Sequence, residues 1–541
     1  MATMLKDKQL ITFQKLIANH RFLDRSHAGT GKTPSQCCLT GYLMRIQPQQ
    51  IIQLIQNGVT KTSTPTSSNY KGSKAEDFLK PTSARIVTNG QFNCRVIWTQ
   101  PSSLMNKNRK EILKWNPDLG QDQVQLIKGT ANQKQKIALD PNVLVWIMTA
   151  EAYAKYSGLM HKQFADIVQI ICDEPHLYYR GWLSKRTQSF VQSTPDRVRI
   201  SFMTATPTPR GKLQSAYIYC HMIQPDYYHS FDFFMATHAI RDEYNSVSEW
   251  INHEVLQKFL LHYSICWTSK EMYGDVDEVI LRELLPLDSN IEKVYRGFEQ
   301  AGIAEIKDIV LEAKTGGTNS LRLRQMLAHP HRINIPSEWD IKGKPTGYAE
   351  LCLLAGNTPK IERILELAEE GEPIIVFGTF IQEIEAIATA LSKKGLKVGV
   401  IHGEIPRGQR DRLDEAFQAG DIDVMVCSAA TAGVGYNWGH VNTVIFHSLN
   451  YGDDEFLQAV ARTKRGVREH LLQIIILEYE NTVDQYVMWA VHHNSKSSHS
   501  ANPTNPVIHF PKVEMDAMSM DLQNLLSEFM EYKEIGEKMI I

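Results

Sequence analysis

The sequence predicts an α/β protein with two tandem halves, a mainly helical region between them and a small helical C-terminal tail. Short apolar runs of strand length alternate with helical or polar stretches, once before residue 210 and again after residue 370. This alternation is typical of open parallel sheets. From about 211 to 345, aromatic and mostly helical segments replace it.

The first half, residues 1–215, begins with a helix that the spacing of apolar residues predicts over 5–18. The loop SHAGTGKT follows and opens a second helix. A stretch rich in Ser, Thr, Lys and Gly at 59–75 is predicted to be a mobile polar loop. Four apolar runs then predict buried strands: RVIWTQ (95–100), VLVWIMT (143–149), IVQIICDE (167–174) and VRISFMTAT (198–206).

The second half, residues 346–493, has the same predicted architecture without an internal sequence repeat. Its strands are predicted at 373–379, 396–403, 423–429, 442–448 and 472–479. Residues 494–541 are predicted to form a polar, proline-containing link over 494–506 and then one amphipathic helix, with Leu522, Leu525, Leu526 and Phe529 on one face. The region 216–345 is predicted to be the helical insertion between the halves.

Composition narrows the classes of protein to consider. The 541 residues carry 58 Lys and Arg against 60 Asp and Glu, a net charge of −2, which argues against a uniformly basic nucleic-acid coat. Local basic clusters such as Lys185 and Arg186 remain candidates for nucleic-acid contact, or simply solvated helix faces. Eight scattered cysteines with no C-x-x-C pair favour neither a zinc site nor a disulfide framework. We expect no membrane segment and an intracellular location, cytoplasmic or nucleoid-associated, or in the host cytoplasm if the chain is viral.

The glycine-rich loop after the first helix has the composition of a phosphate-binding loop. Glycines let backbone N–H groups approach phosphate oxygens, and the helix N-terminus behind them favours an anion. A lysine supplies charge to the β and γ phosphates, and a hydroxyl can ligate Mg²⁺. The alternative is a glycine-rich turn with a chance lysine. The loop comprises Ser26, His27, Ala28, Gly29, Thr30, Gly31, Lys32 and Thr33.

Two acidic residues end the third predicted strand of the first half. A carboxylate at the carboxyl end of a parallel strand points into the crevice where nucleotides bind. Asp173 is therefore predicted to hold Mg²⁺, largely through water, and Glu174 to act as a general base on the attacking water. Pro175 is predicted to restrict Glu174 to extended geometry. The alternative is that the acids merely begin a turn.

Three further groups complete the candidate chemistry. His176, Thr204 and Thr206 lie at strand ends and are predicted to relay the nucleotide state. Gly433 and Gly435 permit a tight turn near a phosphate. If QAVARTKR is helical, Gln458, Arg462 and Arg465 share one face and the arginines can reach a γ-phosphate. A plain strand-end hydroxyl pair and an ordinary basic helix are the respective alternatives.

The order of these motifs resembles superfamily 2 helicases, and among them the Swi/Snf-type ATPases, over about residues 5–490. LKDKQLITFQ resembles the adenine-reading glutamine motif, RVIWTQPSSLMNKNRKEILKW motif Ia and IMTAEAY motif Ib. DEPH stands where the family has DEGH or DEAH, TAT where it has TGT or SAT, and RLRQMLAHP resembles its LR-x-x-CNHP segment. PIIVFGTF, SAATAGVGYNW and QAVARTKRG resemble motifs IV, V and VI. Ser26 departs mildly from the usual Gly or Ala, and the short central segment suggests a compact phage- or prokaryote-like member.

The resemblance implies two RecA-like P-loop domains that bind ATP and Mg²⁺. It implies that Gln9 reads adenine, that Gly435 helps to bind nucleotide, that Thr33 and Asp173 serve the metal, and that Gln458 joins the coupling residues. Arg462 and Arg465 would complete the site from the second domain. Phosphate-backbone contacts are predicted by motif position at Thr99, Ser102, Ser103, Asn106, Thr149, Thr379, His402 and Ser428.

The implied function is an ATP-dependent translocase on duplex or branched DNA, without sequence preference, that remodels forks, branched DNA or protein–DNA complexes. Replication, recombination or repair proteins are the candidate partners. A strand-separating or branch-migrating DNA helicase is the first alternative. An RNA helicase and a nucleotide-gated binding protein with a vestigial ATPase are the others.

Overall fold

The structure is a computed structural model that describes residues 5–45, 94–243, 245–274, 277–301, 303–306, 309–312, 316–339, 345–432, 435–464, 470–503 and 506–511. The predicted polar loop, Gly433, Arg465 and the predicted C-terminal helix lie outside these residues. In the described part of the chain, no helix has the length and apolar character needed to cross a membrane.

A seven-stranded, all-parallel sheet forms the core of the first half, in the order β3-β4-β2-β5-β6-β1-β9. Its centre is fully buried, which agrees with the near-continuous apolar runs of the sequence. The strands are β1 Arg21–Asp24, β2 Arg95–Thr99, β3 Val124–Leu126, β4 Val145–Met148, β5 Ile167–Asp173, β6 Arg199–Met203 and β9 Ser264–Ile265.

Helices cover this sheet, as parallel connections require. The predicted first helix is confirmed as α1, and the helix after the glycine-rich loop as α2. The helices are α1 Asp7–Ala18, α2 Lys32–Arg45, α3 Met105–Trp115, α4 Ala131–Ala138, α5 Ala150–Gln163, α6 Lys185–Ser193, α7 Tyr217–Ile223, α8 Phe231–His238 and α9 His253–Tyr263.

A second all-parallel sheet, in the order β10-β19-β18-β15-β17-β16, forms the core of the second half. All five strands predicted there are confirmed. The strands are β10 Glu278–Leu285, β15 Ile374–Gly378, β16 Val398–Ile401, β17 Val424–Ser428, β18 Thr443–Phe446 and β19 Leu472–Tyr479.

Nine helices and three antiparallel strand pairs complete the described elements. The helices are α10 Ser269–Tyr273, α11 Ser289–Ala301, α12 Gly316–Ala328, α13 Pro359–Ala368, α14 Ile381–Lys393, α15 Arg407–Gln418, α16 Ala429–Ala432, α17 Asp453–Val460 and α18 Val483–Ala501. The paired strands are β7 Ala239–Arg241 with β8 Val247–Trp250, β11 Ile303–Ile306 with β12 Ile309–Glu312, and β13 Ile333–Trp339 with β14 Pro345–Leu351.

The chain divides into two compact units, and the predicted central region is shared between them. The first unit contains 1–208, 213–238 and 251–268; the second contains 209–212, 239–250 and 269–541. The reason is strand pairing: β9 extends the first sheet beside β1, and β10 extends the second beside β19. Neither strand has the uniformly apolar pattern by which the nine predicted strands were recognised.

The polar link predicted from residue 494 is wrong over its first half, because α18 continues to Ala501. Val491, Ser495, Ser498 and Ala501 are all buried at helical spacing. Small hydroxyl side chains pack here as core residues, although in sequence they look like a linker. Ser498 Oγ, for example, donates to Asp453 Oδ2 at 2.7 Å.

Candidate functional site

The predicted phosphate loop connects the end of β1 to the start of α2 in the first unit. Gly29 and Gly31 have φ angles of 86° and 80°, in the left-handed region that glycine adopts without steric cost. A Cβ on Gly31 would also lie 2.6 Å from Gln9 Nε2. The loop therefore requires glycine at position 31 for both its backbone conformation and its contact with α1.

Lys32 and Asp24 place charge inside this loop. The Lys32 ammonium donates to the carbonyl oxygens of Ser26 at 2.8 Å and His27 at 3.2 Å. Asp24 is buried at the end of β1 and accepts the Ser26 N–H at 3.0 Å. Burial raises the pKa of Asp24, and the Lys32 charge opposes that rise. Asp24 is a site residue that sequence reasoning missed; its only signal is an acid directly before the loop.

The predicted adenine-reading residue, Gln9, lies against the loop with both ends of its amide engaged. Its Nε2 donates to Gly31 O at 3.0 Å, and its Oε1 accepts the Lys6 N–H at 3.0 Å. Ser35 on α2 donates to the Gln9 carbonyl at 2.9 Å. Gln9 is thus held at the phosphate loop, and its role in reading a base stays a prediction.

A segment distant in sequence, Ser264–Trp267, fastens the outer side of the loop. The His27 N–H donates to Trp267 O at 2.9 Å, and the Trp267 N–H donates to Ser26 Oγ at 3.0 Å. The Trp267 indole N–H donates to Thr12 Oγ1 on α1 at 2.9 Å. These bonds explain why serine stands at position 26, because Gly or Ala has no hydroxyl to accept from Trp267.

The acidic motif lies at the end of β5, as predicted. Asn108 on α3 donates through Nδ2 to Asp173 Oδ2 at 2.8 Å and to Gln100 Oε1 at 2.7 Å. Burial raises the pKa of Asp173, and the neighbouring charge of Glu174 raises it further, while Asn108 and Lys32 act in the opposite direction. A carboxylate held in this way favours a cation beside it. Sequence reasoning missed Asn108 and Gln100, which are spread over another strand and helix.

The prediction that Pro175 forces Glu174 into extended geometry is wrong. Glu174 has φ 51° and ψ 50°, in the left-handed region, and precedes a one-turn 3-10 helix, Pro175–Leu177. Proline disfavours the right-handed conformation of the residue before it but leaves this alternative open. The Glu174 N–H donates to Met203 O and its carbonyl accepts the Leu177 N–H, at 2.9 and 3.0 Å. Such a conformation in a non-glycine residue often marks a functional site.

The three predicted coupling residues of the first unit are brought together. His176 Nδ1 lies 2.8 Å from Thr204 Oγ1 and 3.3 Å from Glu174 Oε2. The Thr206 N–H donates to Thr204 Oγ1 at 3.1 Å. The end of β6 is therefore connected through one imidazole to the acidic motif at the end of β5.

The nucleic-acid contacts predicted in the first unit fall into two groups. Ser102 and Asn106 are exposed and Ser103 half-buried, where a one-turn helix leads into α3. Thr149 is half-buried and caps α5 by accepting the Ala152 N–H at 3.3 Å. Thr99, by contrast, is fully buried, with its carbonyl bound by the Tyr178 hydroxyl at 3.0 Å. A phosphate contact near Thr99 therefore stays a prediction, and the buried Thr99 side chain does not face solvent.

In the second unit, predicted nucleic-acid contacts lie at the carboxyl ends of three strands. Thr379 and Ser428 are half-buried and line one small cavity with Ser448. Ser448 Oγ accepts the Thr379 N–H at 3.0 Å and donates to Thr379 Oγ1 at 2.9 Å. The His402 side chain is 4 % exposed, and a phosphate contact near it stays a prediction.

Beneath this cavity lies a buried pair that sequence reasoning missed. His447 Nδ1 is 2.5 Å from Glu383 Oε1, and neither side chain is exposed. Glu383 Oε2 accepts the N–H groups of Thr379 and Phe380, each at 2.9 Å. Burial alone would raise the pKa of Glu383, but the His447 charge and these hydrogen bonds outweigh it and lower the pKa to about 2.

The predicted arginine helix is shorter than the motif. Helix α17 ends at Val460, so Gln458 is helical and Arg462 lies in the following turn; the two do not share a helix face. Arg462 is buried, and its Nε donates to Gln458 O at 3.2 Å. Gly435 has φ 102°, which only glycine adopts readily. The predicted roles of Arg462, Arg465 and Gly435 stay predictions.

The amino-acid sequence is similar to those of known helicases. The helicase conserved C-terminal domain family matches residues 359–467. The "Chromodomain-helicase-DNA-binding protein 1-like" of Danio rerio is 23% identical over 366 residues, 66% of this chain and 34% of that protein. The "Probable ATP-dependent RNA helicase DDX52" of Mus musculus is 32% identical over 119 residues, 22% of this chain and 20% of that protein.

Among solved structures, the S. cerevisiae Dbp5 bound to RNA and ADP BeF3 aligns with a TM-score of 0.47 at 13% identity, over 90% of this chain and 87% of that one. The chain spans about a third of the length of the first of these two curated relatives and a fifth of the second. The motif-based resemblance to superfamily 2, Swi/Snf-type proteins is confirmed by the family match and the chromodomain helicase.

Proposed function

From the helicase C-terminal domain at 359–467 and the Swi/Snf-like relatives, we propose that this chain is an ATP-dependent DNA translocase. The observation that carries the proposal is the assembly in the first unit. The phosphate loop and the acidic motif are close enough for the Lys32 charge to act on both Asp24 and Asp173. Neither motif alone implies turnover of a nucleotide, whereas both on one sheet edge do.

The residues of the first unit fit ATP and Mg²⁺. The loop from Ser26 to Thr33 would hold the phosphates, with Lys32 leaving its carbonyl partners for phosphate oxygens, and Gln9 would bind the base. Asp173 and the Thr33 hydroxyl would hold the metal, largely through water. Bound there, Mg²⁺ neutralises phosphate charge. The raised pKa of Asp173 supports this assignment, since a bound cation would offset the burial of the carboxylate and then the repulsion from Glu174.

Glu174 would act as the general base. Its carboxylate lies at 3.3 Å from the His176 imidazole, which is itself held by Thr204. This arrangement fixes the carboxylate so that it can accept a proton from an attacking water. The bond to Thr204 would carry the change at Glu174 to the end of β6.

The second unit would supply Arg462 and Arg465 toward the γ-phosphate, and the hydroxyl-lined strand ends toward a phosphate backbone. Thr379 and Ser428 are the contacts that its geometry supports best. Backbone contacts of this kind carry no sequence information and weaken with salt. Cycles of ATP binding and hydrolysis would then move the protein along DNA. Forks, branched DNA and protein–DNA complexes are the proposed substrates, with replication, recombination or repair proteins as proposed partners.

An RNA helicase is the second candidate, and one observation favours it. The segment that is 32% identical to a probable RNA helicase is the highest-identity match among the relatives described above. The longer similarity, over 66% of this chain, is to a chromodomain helicase, and it favours DNA. Strand separation of DNA is a further outcome of the same chemistry.

The test is an ATPase panel on the full chain with duplex, single-stranded and forked DNA and with RNA, alongside an unwinding assay. Duplex DNA should stimulate turnover most, without strand separation. Lys32→Ala should abolish the stimulated turnover, whereas Lys15→Ala, which removes an exposed charge on α1, should preserve it. Stimulation by RNA alone would transfer the proposal to the second candidate, and no turnover with any nucleic acid would overturn both.

A further inference from the structure

A basic groove runs along the surface of the first unit beside the acidic motif. Its lining includes Arg180, Lys185 and Arg186, together with Glu151 and Ala154. We propose that this groove binds the phosphodiester backbone of one nucleic-acid strand. The inference rests on the proposed function and adds a contact surface that motif position did not predict.

The groove is built by two helices and the turn between the acidic motif and α6. Leu177 and Tyr178 line it as well, and the Ser184 N–H donates to Gly181 O at 3.2 Å, which closes the turn. Ser184 then caps α6 by accepting the Thr187 N–H at 3.2 Å. The first N–H groups of α6 and the Lys185 side chain therefore lie along the same groove, both favourable to an anion.

The charge of the groove is positive on balance. Arg186 forms an ion pair with Glu151 at 2.7 Å, so these two charges offset each other. Arg180 and Lys185 are exposed, and no ion pair with a carboxylate in the described part of the chain involves either of them. Two cationic side chains are thus available for phosphate oxygens.

The groove continues along α6 as a polar face. Ser189 lines it here too, and a neighbouring depression is lined by Lys185, Gln188, Gln192 and Ser193. Hydroxyl and amide groups commonly hydrogen-bond to phosphate and sugar oxygens. A docking site for a folded protein would carry more apolar and aromatic side chains at its centre. The cations Arg180 and Lys185 and the serines of the lining therefore favour a nucleic-acid backbone over a protein partner.

The groove borders both a predicted contact to the nucleic-acid backbone and the acidic motif. Thr149, a predicted backbone contact, caps the helix that carries Glu151 and Ala154. On the other side, Arg180 Nε donates to His176 O at 3.3 Å, and the Tyr178 hydroxyl lies 3.0 Å from both Asp173 O and Thr99 O, between which it shares its one hydrogen. A nucleic-acid strand in the groove would therefore contact the same short segment of the chain that carries Asp173 and Glu174.

The experiment measures binding of the full chain to fluorescent duplex and single-stranded oligonucleotides by anisotropy, over a series of salt concentrations. The Arg180→Gln/Lys185→Gln variant should lose affinity about tenfold to a hundredfold at low salt. It should also reduce the slope of log affinity against log salt by up to about 2. The matched control, Lys136→Gln/Lys162→Gln, removes two exposed charges of the same unit outside the groove and should change affinity less than about threefold.

Four results would overturn the proposal. If the groove variant binds with unchanged affinity and slope, the groove is not on the strand path, while the proposed translocase stands. If the control loses as much as the groove variant, only the overall charge matters. If polyglutamate binds in a groove-dependent way while the oligonucleotides do not, the surface recognises an acidic protein segment. Failure of the unaltered chain to bind any oligonucleotide would remove the proposed function as well.

Discussion

The carboxyl ends of the two sheets differ in where they keep their charge. In the first unit, Asp24 and Asp173 are buried at strand ends, and the pKa of each is raised because burial is not fully offset by a cation. In the second unit, the strand ends present Thr379, Ser428 and Ser448, and the carboxylate Glu383 lies beneath them against His447.

The carboxyl end of the first sheet is the reactive edge of the protein, and the carboxyl end of the second sheet is the supporting edge. A raised pKa in a buried carboxyl means that the protein holds the charge at a cost, which is common at sites that bind cations or transfer protons. The lowered pKa of Glu383 means that His447 and the backbone N–H groups of Thr379 and Phe380 satisfy the charge. Similar parallel sheets therefore carry different chemistry because the compensation of buried charge differs.

Among the predicted effects, the largest should come from replacing Glu174, the proposed general base at the reactive edge. Glu174→Gln should reduce nucleic-acid-stimulated ATP turnover by about 10²–10⁴-fold, because the amide cannot accept the proton of the attacking water. Single-turnover kinetics and a nucleotide-binding titration measure this, and binding should persist. Glu254→Gln serves as the control for the same stimulated turnover, since it removes an exposed carboxylate on α9, outside the catalytic motifs. Normal turnover in Glu174→Gln would place the base elsewhere.

Breaking the pair of the supporting edge should destabilise the second unit. Glu383→Gln leaves His447 buried without its carboxylate partner and should lower the free energy of unfolding by about 3 kcal/mol. The folded pKa of Glu383, about 2, is below its usual value of 4.5. The contribution of the pair should be complete above pH 4.5 and decrease as the pH falls toward 2. Denaturant unfolding over this pH range measures both.

A double-mutant cycle with His447→Gln provides the control for that measurement. If the two single substitutions add without coupling, the pair does not stabilise the unit, and the contrast between the two edges fails.

The reactive edge should respond to a change in the support of Asp173. Asn108 donates to Asp173 and so lowers its pKa. Asn108→Leu should raise the pKa further, and the acidic limb of kcat/KM for ATP should move to higher pH by about one unit. Asn132→Leu, at an exposed site on α4 with no predicted contact, is the matched control. An unmoved limb would mean that another group controls it.

The smallest effect is expected at the outer side of the phosphate loop. Ser26→Ala removes the acceptor of the Trp267 N–H and should cost about 1 kcal/mol, seen as a rise of a few-fold in KM for ATP with kcat nearly unchanged. Ser248→Ala, an exposed serine of another strand pair, is the matched control. A fall in kcat without a change in KM would contradict the role of the Ser26–Trp267 hydrogen bond in holding the loop for ATP binding.

The sequence predicted most of the strands and the main motifs because each is a local pattern. A buried parallel strand is a short apolar run, and the phosphate loop needs its glycines and lysine in a fixed order. The short strands β1 and β3 were missed, since RFLD and VQL are too short and too polar to stand out. Strands β7 to β14 were missed for a related reason, since sequences such as AIR, VSEW and PTGYAEL mix polar and apolar residues and do not form apolar runs.

The support of the site could not be predicted, because its residues are distant in sequence. Asn108 reaches Asp173 across 65 positions, and Trp267 reaches Ser26 across 241. Asparagine and tryptophan have many ordinary roles, so neither residue type indicates the partner. The helix end at Val460 and the left-handed Glu174 were misjudged because neighbouring residues permitted more than one conformation.

The short strand β9 also determines where the first unit can be cut. It lies outside β1 and caps the row of backbone N–H and C=O groups that β1 would otherwise present at the rim of the sheet. A fragment ending after β6 would leave that rim open, next to a phosphate loop without Trp267. Open rims of this kind recruit other chains and aggregate. A soluble, nucleotide-competent first unit should therefore extend to at least residue 268, some sixty residues beyond its last motif.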